Sequence, residues 1–143
     1  MAKSKLFSFV SGKVLGLGLG LGVATSLLVP ANPAAAAEEK CDDDGSFCFE
    51  QVDGSRWFAG AKTNSKMRRG RSESKPGKLS LTIDGGRGSV FLNGRYIGTA
   101  PLDDVEVPSG PNDLQVRDGS DVLAWGILTV PKDDTIVATV KHK

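Results

Sequence analysis

Histidine is almost missing from this chain. The single copy, His142, sits one residue from the C-terminus. A catalytic base must be held within hydrogen-bonding reach of its substrate, and a chain end is a poor place for one. Ser-His-Asp and Cys-His arrangements therefore find no support. Thiols are equally scarce. Cys41 and Cys48 are the only two, with six residues between them instead of the two of a C-x-x-C redox pair. Two cysteines and one terminal histidine make no zinc set. The order GxxxxGK[ST] does not occur, and Gly85-Gly86-Arg87-Gly88 precedes a strand-like run where a phosphate loop would precede a helix. Asp103-Asp104 and Asp133-Asp134 are adjacent pairs, and neighbours on a strand point to opposite faces. The expectation is a protein that is not an enzyme and needs no cofactor or metal.

Acidic residues are absent before Glu38, whereas Lys3, Lys5 and Lys13 make the start basic. Val14 to Val29 is an uncharged run rich in Gly and Leu. Pro30 and Pro33 then break any helix, and Ala34-Ala35-Ala36-Ala37 supplies small residues of the A-x-A kind. Residues 1–37 read as an export signal cleaved after Ala37. The apolar run is short of the roughly 20 residues that span a bilayer, so no stable transmembrane anchor is expected. Glu38-Glu39-Lys40 separate the cleavage point from Cys41, which argues against a lipoprotein. The expected location is periplasmic or extracellular.

The remaining 106 residues carry 15 basic and 17 acidic groups, for −2, so overall charge selects no partner. Its distribution is more telling. Residues 38–56 carry −5, residues 62–78 carry +6 and residues 79–143 carry −3.

In the acidic segment, 38–60, Cys41 and Cys48 are expected to form a disulfide in an oxidising compartment. Asp53-Gly54 divides two strand-like runs and predicts a hairpin pairing Phe49 with Phe58 and Gln51 with Arg56. An isolated hairpin is marginal in water. Trp57 and Phe58 would either dock on the main domain or form a ligand surface. Asp42 and Asp44 match part of an alternating calcium loop; a solvated acidic turn is the competing reading.

Residues 61–77 read as a disordered basic linker, with Met67 the one strongly hydrophobic side chain of 62–78. Lys66, Arg68, Arg69 and Arg71 are its candidate anion-binding residues. It would either be solvated, lying against the chain's own acidic segment, or contact an anionic surface of the cell envelope. Nucleic acid is not an expected partner of an exported protein.

From residue 78 onward no helical period appears. Seven short strand-like runs follow, divided by Gly/Pro turns. Asn93-Gly94 suits a two-residue type I′ turn, which would set Leu92 opposite Arg95, Phe91 opposite Tyr96 and Val90 opposite Ile97. Pro108-Ser109-Gly110-Pro111 reads as a turn between two further strands. The predicted fold is all-β, a small antiparallel β-sandwich. Some 65 residues are near the lower limit for a self-sufficient core, so the N-terminal segment is a candidate to extend it.

Three stretches carry a family resemblance. Lys78-Leu79-Ser80-Leu81, the run Gly88-Ser89-Val90-Phe91-Leu92-Asn93-Gly94-Arg95-Tyr96-Ile97-Gly98-Thr99-Ala100-Pro101-Leu102, and Val105-Glu106-Val107-Pro108-Ser109-Gly110 together resemble the PEGA domain over residues 78–140. The tetrapeptide that names the family is replaced here by Gly86-Arg87-Gly88-Ser89. The resemblance implies a small β-rich extracytoplasmic module of envelope proteins and brings no catalytic residue. The function expected is a secreted or periplasmic binding or structural adaptor. Phe91, Tyr96 and Trp125 are its candidate contact residues, each with core packing as the alternative. The partner is an envelope protein or an anionic surface polymer. Electrostatic tethering through residues 62–78 is the competing mode.

Overall fold

The computed structural model describes residues 38–142, and the export signal read in residues 1–37 lies outside them. Alternation of apolar and polar side chains builds the first sheet. Leu79, Leu81 and Ile83 on β4 (Ser72–Asp84) are buried, as are Ile136, Ala138 and Val140 on β9 (Thr135–Lys141). The two strands run parallel with Leu79 opposite Ile136, Leu81 opposite Ala138 and Ile83 opposite Val140. Their apolar sets therefore lie side by side on one face. β2 (Phe47–Glu50) and β1 (Glu39–Cys41) extend this sheet beyond β9, and the first part of β7 (Leu102–Asp118) flanks β4. The second sheet has the order β6-β5-β7-β8-β3, from β3 (Arg56–Ala59), β5 (Gly88–Leu92), β6 (Arg95–Ala100), the second part of β7, and β8 (Asp121–Val130). One short helix, α1 (Ser65–Arg69), is present among the described residues. The all-β sandwich is as expected, with β4–β9 the one parallel pairing among the described residues.

The two sheets share β7. Pro108-Ser109-Gly110-Pro111, expected as a turn, lies within this 17-residue strand, which pairs with β4 up to Ser109 and with β8 from Gly110. The prolines lack the N–H a regular ladder needs, and Gly110 has φ +96°, so the strand bends without ending. A Cβ on Gly110 would sit 2.5 Å from the Gly70 carbonyl oxygen. Fully buried Asn112 zips the bend, donating from Nδ2 to the carbonyls of Pro108 (2.7 Å) and Gly110 (2.9 Å).

Both hairpin readings need correction. At Asn93-Gly94 the φ values are +55° and +79°, as a type I′ turn requires, and Leu92/Arg95 and Phe91/Tyr96 pair as expected. A bulge then sets Val90 opposite Gly98, displacing Ile97. Gly98, at the bulge, packs so closely on Leu102 that a Cβ there would lie 2.6 Å from its side chain, and the bulge leaves Ile97 without a cross-strand partner on β5. At Asp53-Gly54 the chain does turn, with Ser55 N–H donating to the Val52 carbonyl at 2.9 Å. Phe49/Phe58 and Gln51/Arg56 nevertheless do not pair. β2 joins β9 in one sheet and β3 joins β8 in the other. Splitting the hairpin gives each strand a longer partner and lets Phe47 stack on Trp57 between the sheets, centroids 4.1 Å apart. Residues 38–60 thus belong to the same core as the β-domain.

Cys41 and Cys48 face each other across β1 and β2 and form the expected disulfide. The basic stretch 61–77, expected as a disordered linker, contains α1 and the first part of β4. Asn64 caps α1 by accepting from Met67 N–H at 2.9 Å.

Gly77 is held by close packing. A Cβ there would fall 2.3 Å from the Pro131 carbonyl oxygen and 2.5 Å from Val130 Cγ1. Gly77→Ala is expected to destabilise the fold by about 2 kcal/mol, read as a lowered urea midpoint with an unchanged slope.

Candidate functional site

Cross-strand register places four side chains in one row on the outer face of the second sheet. Tyr96 pairs with Phe91, Phe91 with Gln115, and Gln115 with Trp125. Directly paired residues share a face. Tyr96 is 58% exposed and Trp125 42%. Phe91 is half-buried, with Tyr96 against its edge (centroids 5.7 Å) and the Arg117 guanidinium over its ring at 5.5 Å. Arg117 also donates to Gln115 Oε1 at 2.9 Å. The next row pairs Asp113 with Ile127 and Ile127 with Phe58.

The basic segment is pinned onto that second row. Asp113 accepts from Thr63 N–H (2.7 Å), Thr63 Oγ1 (2.6 Å) and Arg71 (3.2 Å). Arg71 also donates to the Pro111 carbonyl (2.7 Å) and Thr63 Oγ1 (2.9 Å), and Arg68 donates more weakly to Thr63. Residues 61–71 therefore form a strap tied to β7, and the acidic segment 38–56 is not its partner in these contacts. Ile127 is buried although it stands outside the main core cluster, as expected of an apolar residue beside the strap's anchor. On the other side of Asp113, Asn93 N–H donates to its carbonyl (2.7 Å) and Asn93 Oδ1 accepts from its N–H (3.0 Å). Asn93 Nδ2 donates to Asn112 Oδ1 at 2.8 Å.

Two opposed influences act on the Asp113 carboxyl. Burial pushes its pKa up; the side-chain and backbone hydrogen bonds from Thr63, with the charge of Arg71, outweigh it and hold the pKa below the ordinary value.

The strap and the aromatic row together make a cleft of about 390 Å³. Lys62 and Arg68 from the strap and Arg117 from β7 surround Phe91, Gln115 and Trp125. Charge-assisted donors beside aromatic faces suit a ligand with anionic groups and a flat apolar side. Lys66 and Arg69 are exposed on α1, whereas Arg68 and Arg71 are engaged by Thr63 and Asp113. Phe58 is 50% exposed. Trp57 is partly buried by its stack on Phe47, and its indole N–H has no partner among the described residues. Lys62 and Arg117 fall outside the anion-binding residues expected from the sequence, because only the strap's docking and the β7 register bring them to the aromatic row.

The acidic turn closes on itself. Asp42 accepts from Ser46 Oγ (2.9 Å) and Phe47 N–H (3.1 Å), and Asp44 accepts from Ser46 N–H (3.2 Å). Among the described residues, the one grouping of metal-ligating side chains is Glu39 with Cys41 and Cys48, and both sulfurs are spent in the disulfide. No helix among the described residues is long and apolar enough to cross a membrane.

No protein-family model, curated protein or solved structure matches this chain.

The pKa of Asp113 sets a pH dependence with a definite sign. A carboxyl whose folded pKa is lowered stabilises the fold fully above the unfolded value, near 3.8, and the contribution is lost as pH falls through the folded value. Acid titration of thermal stability is expected to show this loss in the wild type. In Asp113→Asn that component should be absent, with lower stability at neutral pH.

Proposed function

We propose that this protein is an exported, non-enzymatic β-module that acts as a binding adaptor in the cell envelope and engages an anionic partner. The observation that carries this reading is the convergence of Lys62, Arg68 and Arg117 on Phe91 and Trp125 in one open cleft. The resemblance of residues 78–140 to the PEGA domain and the Cys41–Cys48 disulfide both support an extracytoplasmic setting. The ligand class that fits is an acidic polymer with repeating ring units. Its rings lie on the exposed Trp125 and Tyr96 side chains, and its carboxylate or phosphate groups meet the cations.

Tethering by a loose basic segment alone fits less well. Arg71 is committed to Asp113 and Arg68 leans on Thr63. Lys66 and Arg69 remain exposed on α1 and add long-range attraction instead of a shaped contact.

Titration with an acidic polysaccharide, beside its neutral counterpart, tests the reading. Binding of the acidic polymer should weaken steeply with added salt. Arg117→Glu and Trp125→Ala should each weaken it about tenfold, a loss of roughly 1.4 kcal/mol. Equal binding of the neutral polymer, or full binding by both variants, would remove the cleft as the site.

A further inference from the structure

A second, larger cleft of about 900 Å³ opens where the two sheets part. β1 and the loop after it form one wall, and β3 and the start of β8 form the other. On the β3 side every residue from Trp57 to Ala61 borders the opening. A strand presenting one face would contribute alternate residues, so consecutive ones mean that its backbone edge faces the cleft. Among the described residues β3 pairs with β8 alone. Its other edge is a row of main-chain groups set beside an apolar surface, since Phe58, Val122 and Trp125 are 50%, 44% and 42% exposed. Exposed edges of this kind are templates for a further strand.

Charge narrows the occupant. Asp43 on one wall and Asp121 on the other are exposed carboxylates bordering the cleft, and the segment that supplies the first wall carries −5 over residues 38–56. Asp42 and Asp44 border it too, so four carboxylates stand against Lys40, Lys141 and His142 and the acidic groups are in excess. We propose that this cleft receives an extended cationic peptide segment, which adds as a strand to the outer edge of β3. Its main chain pairs with β3, alternate apolar side chains cover Phe58 and Trp125, and intervening lysine or arginine side chains reach Asp43 and Asp121. The cleft adjoins the cationic one, sharing Ala61 and Trp125 with it, and its ligand has the opposite charge, so the peptide and the acidic polymer compete for Trp125.

Both tryptophans of the chain, Trp57 and Trp125, border this cleft, so intrinsic fluorescence reports its occupancy. The test uses the whole disulfide-bonded protein and a capped hexapeptide alternating lysine and valine. Saturable binding with a change in tryptophan emission is expected. N-methylation of the peptide's main-chain nitrogens should weaken it at least tenfold, as should the double variant Asp43→Lys/Asp121→Lys. Arg117→Glu, which alters only the other cleft, should leave the affinity unchanged. The proposal is overturned if the hexapeptide does not bind at millimolar concentration, if a glutamate–valine hexapeptide binds as well, or if N-methylation has no effect. Should the double variant fail to fold, the methylation comparison decides alone, because it leaves the protein untouched.

Discussion

Asp113 holds three distant parts of the chain with one residue. Its carboxylate binds Thr63 and Arg71 of the strap, its backbone N–H and C=O bind Asn93 at the tip of the β5–β6 hairpin, and its place on β7 sets Ile127 of β8 beside it. Single hydrogen bonds contribute about 1 kcal/mol net, too little to order a basic strap against its own entropy. Several converging on one carboxylate, with a guanidinium shared between Asp113, Thr63 and Pro111, do so together. The cationic cleft depends on this junction, because Lys62 and Arg68 are placed beside Phe91 and Trp125 only while the strap is docked.

β7 organises the rest. A strand that serves two sheets needs a bend, and a bend exposes ladder groups. Here two prolines remove donors, Gly110 supplies the backbone angle, and Asn112 satisfies the Pro108 and Gly110 carbonyls from inside. The core this encloses draws on both halves of the sequence. Phe47 and Phe49 from the N-terminal segment pack with Leu79, Leu81 and Val140 from the β-domain, which enlarges a core that 65 residues would fill only marginally.

The fold class was legible because its signals are local. Alternation on Leu79–Ile83 and Ile136–Val140, the Asn93-Gly94 turn and the paired cysteines each act over a few residues. What was not legible depends on contacts remote in sequence. Pro108–Pro111 has turn composition, and nothing near it says that two sheets will need a shared strand. Asp53-Gly54 does turn the chain, but the choice between pairing across it and splitting the strands is made by β8 and β9, some 70 to 90 residues later. The strap was hardest of all. Its composition is that of a solvated segment, and its order comes from an acidic partner 42 residues beyond Arg71. The aromatic members of the site were visible individually. The Asn93-Gly94 turn already sets Tyr96 beside Phe91, but the rest of the row follows from the β5–β7 and β7–β8 registers, which no local pattern encodes.

Strand direction in the first sheet bears on how the molecule carries load. β1 runs antiparallel to β2, and β2 antiparallel to β9, so β1 and β9 point the same way. Glu38 and His142 therefore lie toward opposite ends of that sheet. Tension applied between them runs along the strands, and the β2–β9 hydrogen bonds are strained in shear, all at once, with no edge from which to unzip. The Cys41–Cys48 bond joins β1 to β2 through covalent atoms, so the three-residue β1 pairing does not have to carry the pull by its hydrogen bonds alone.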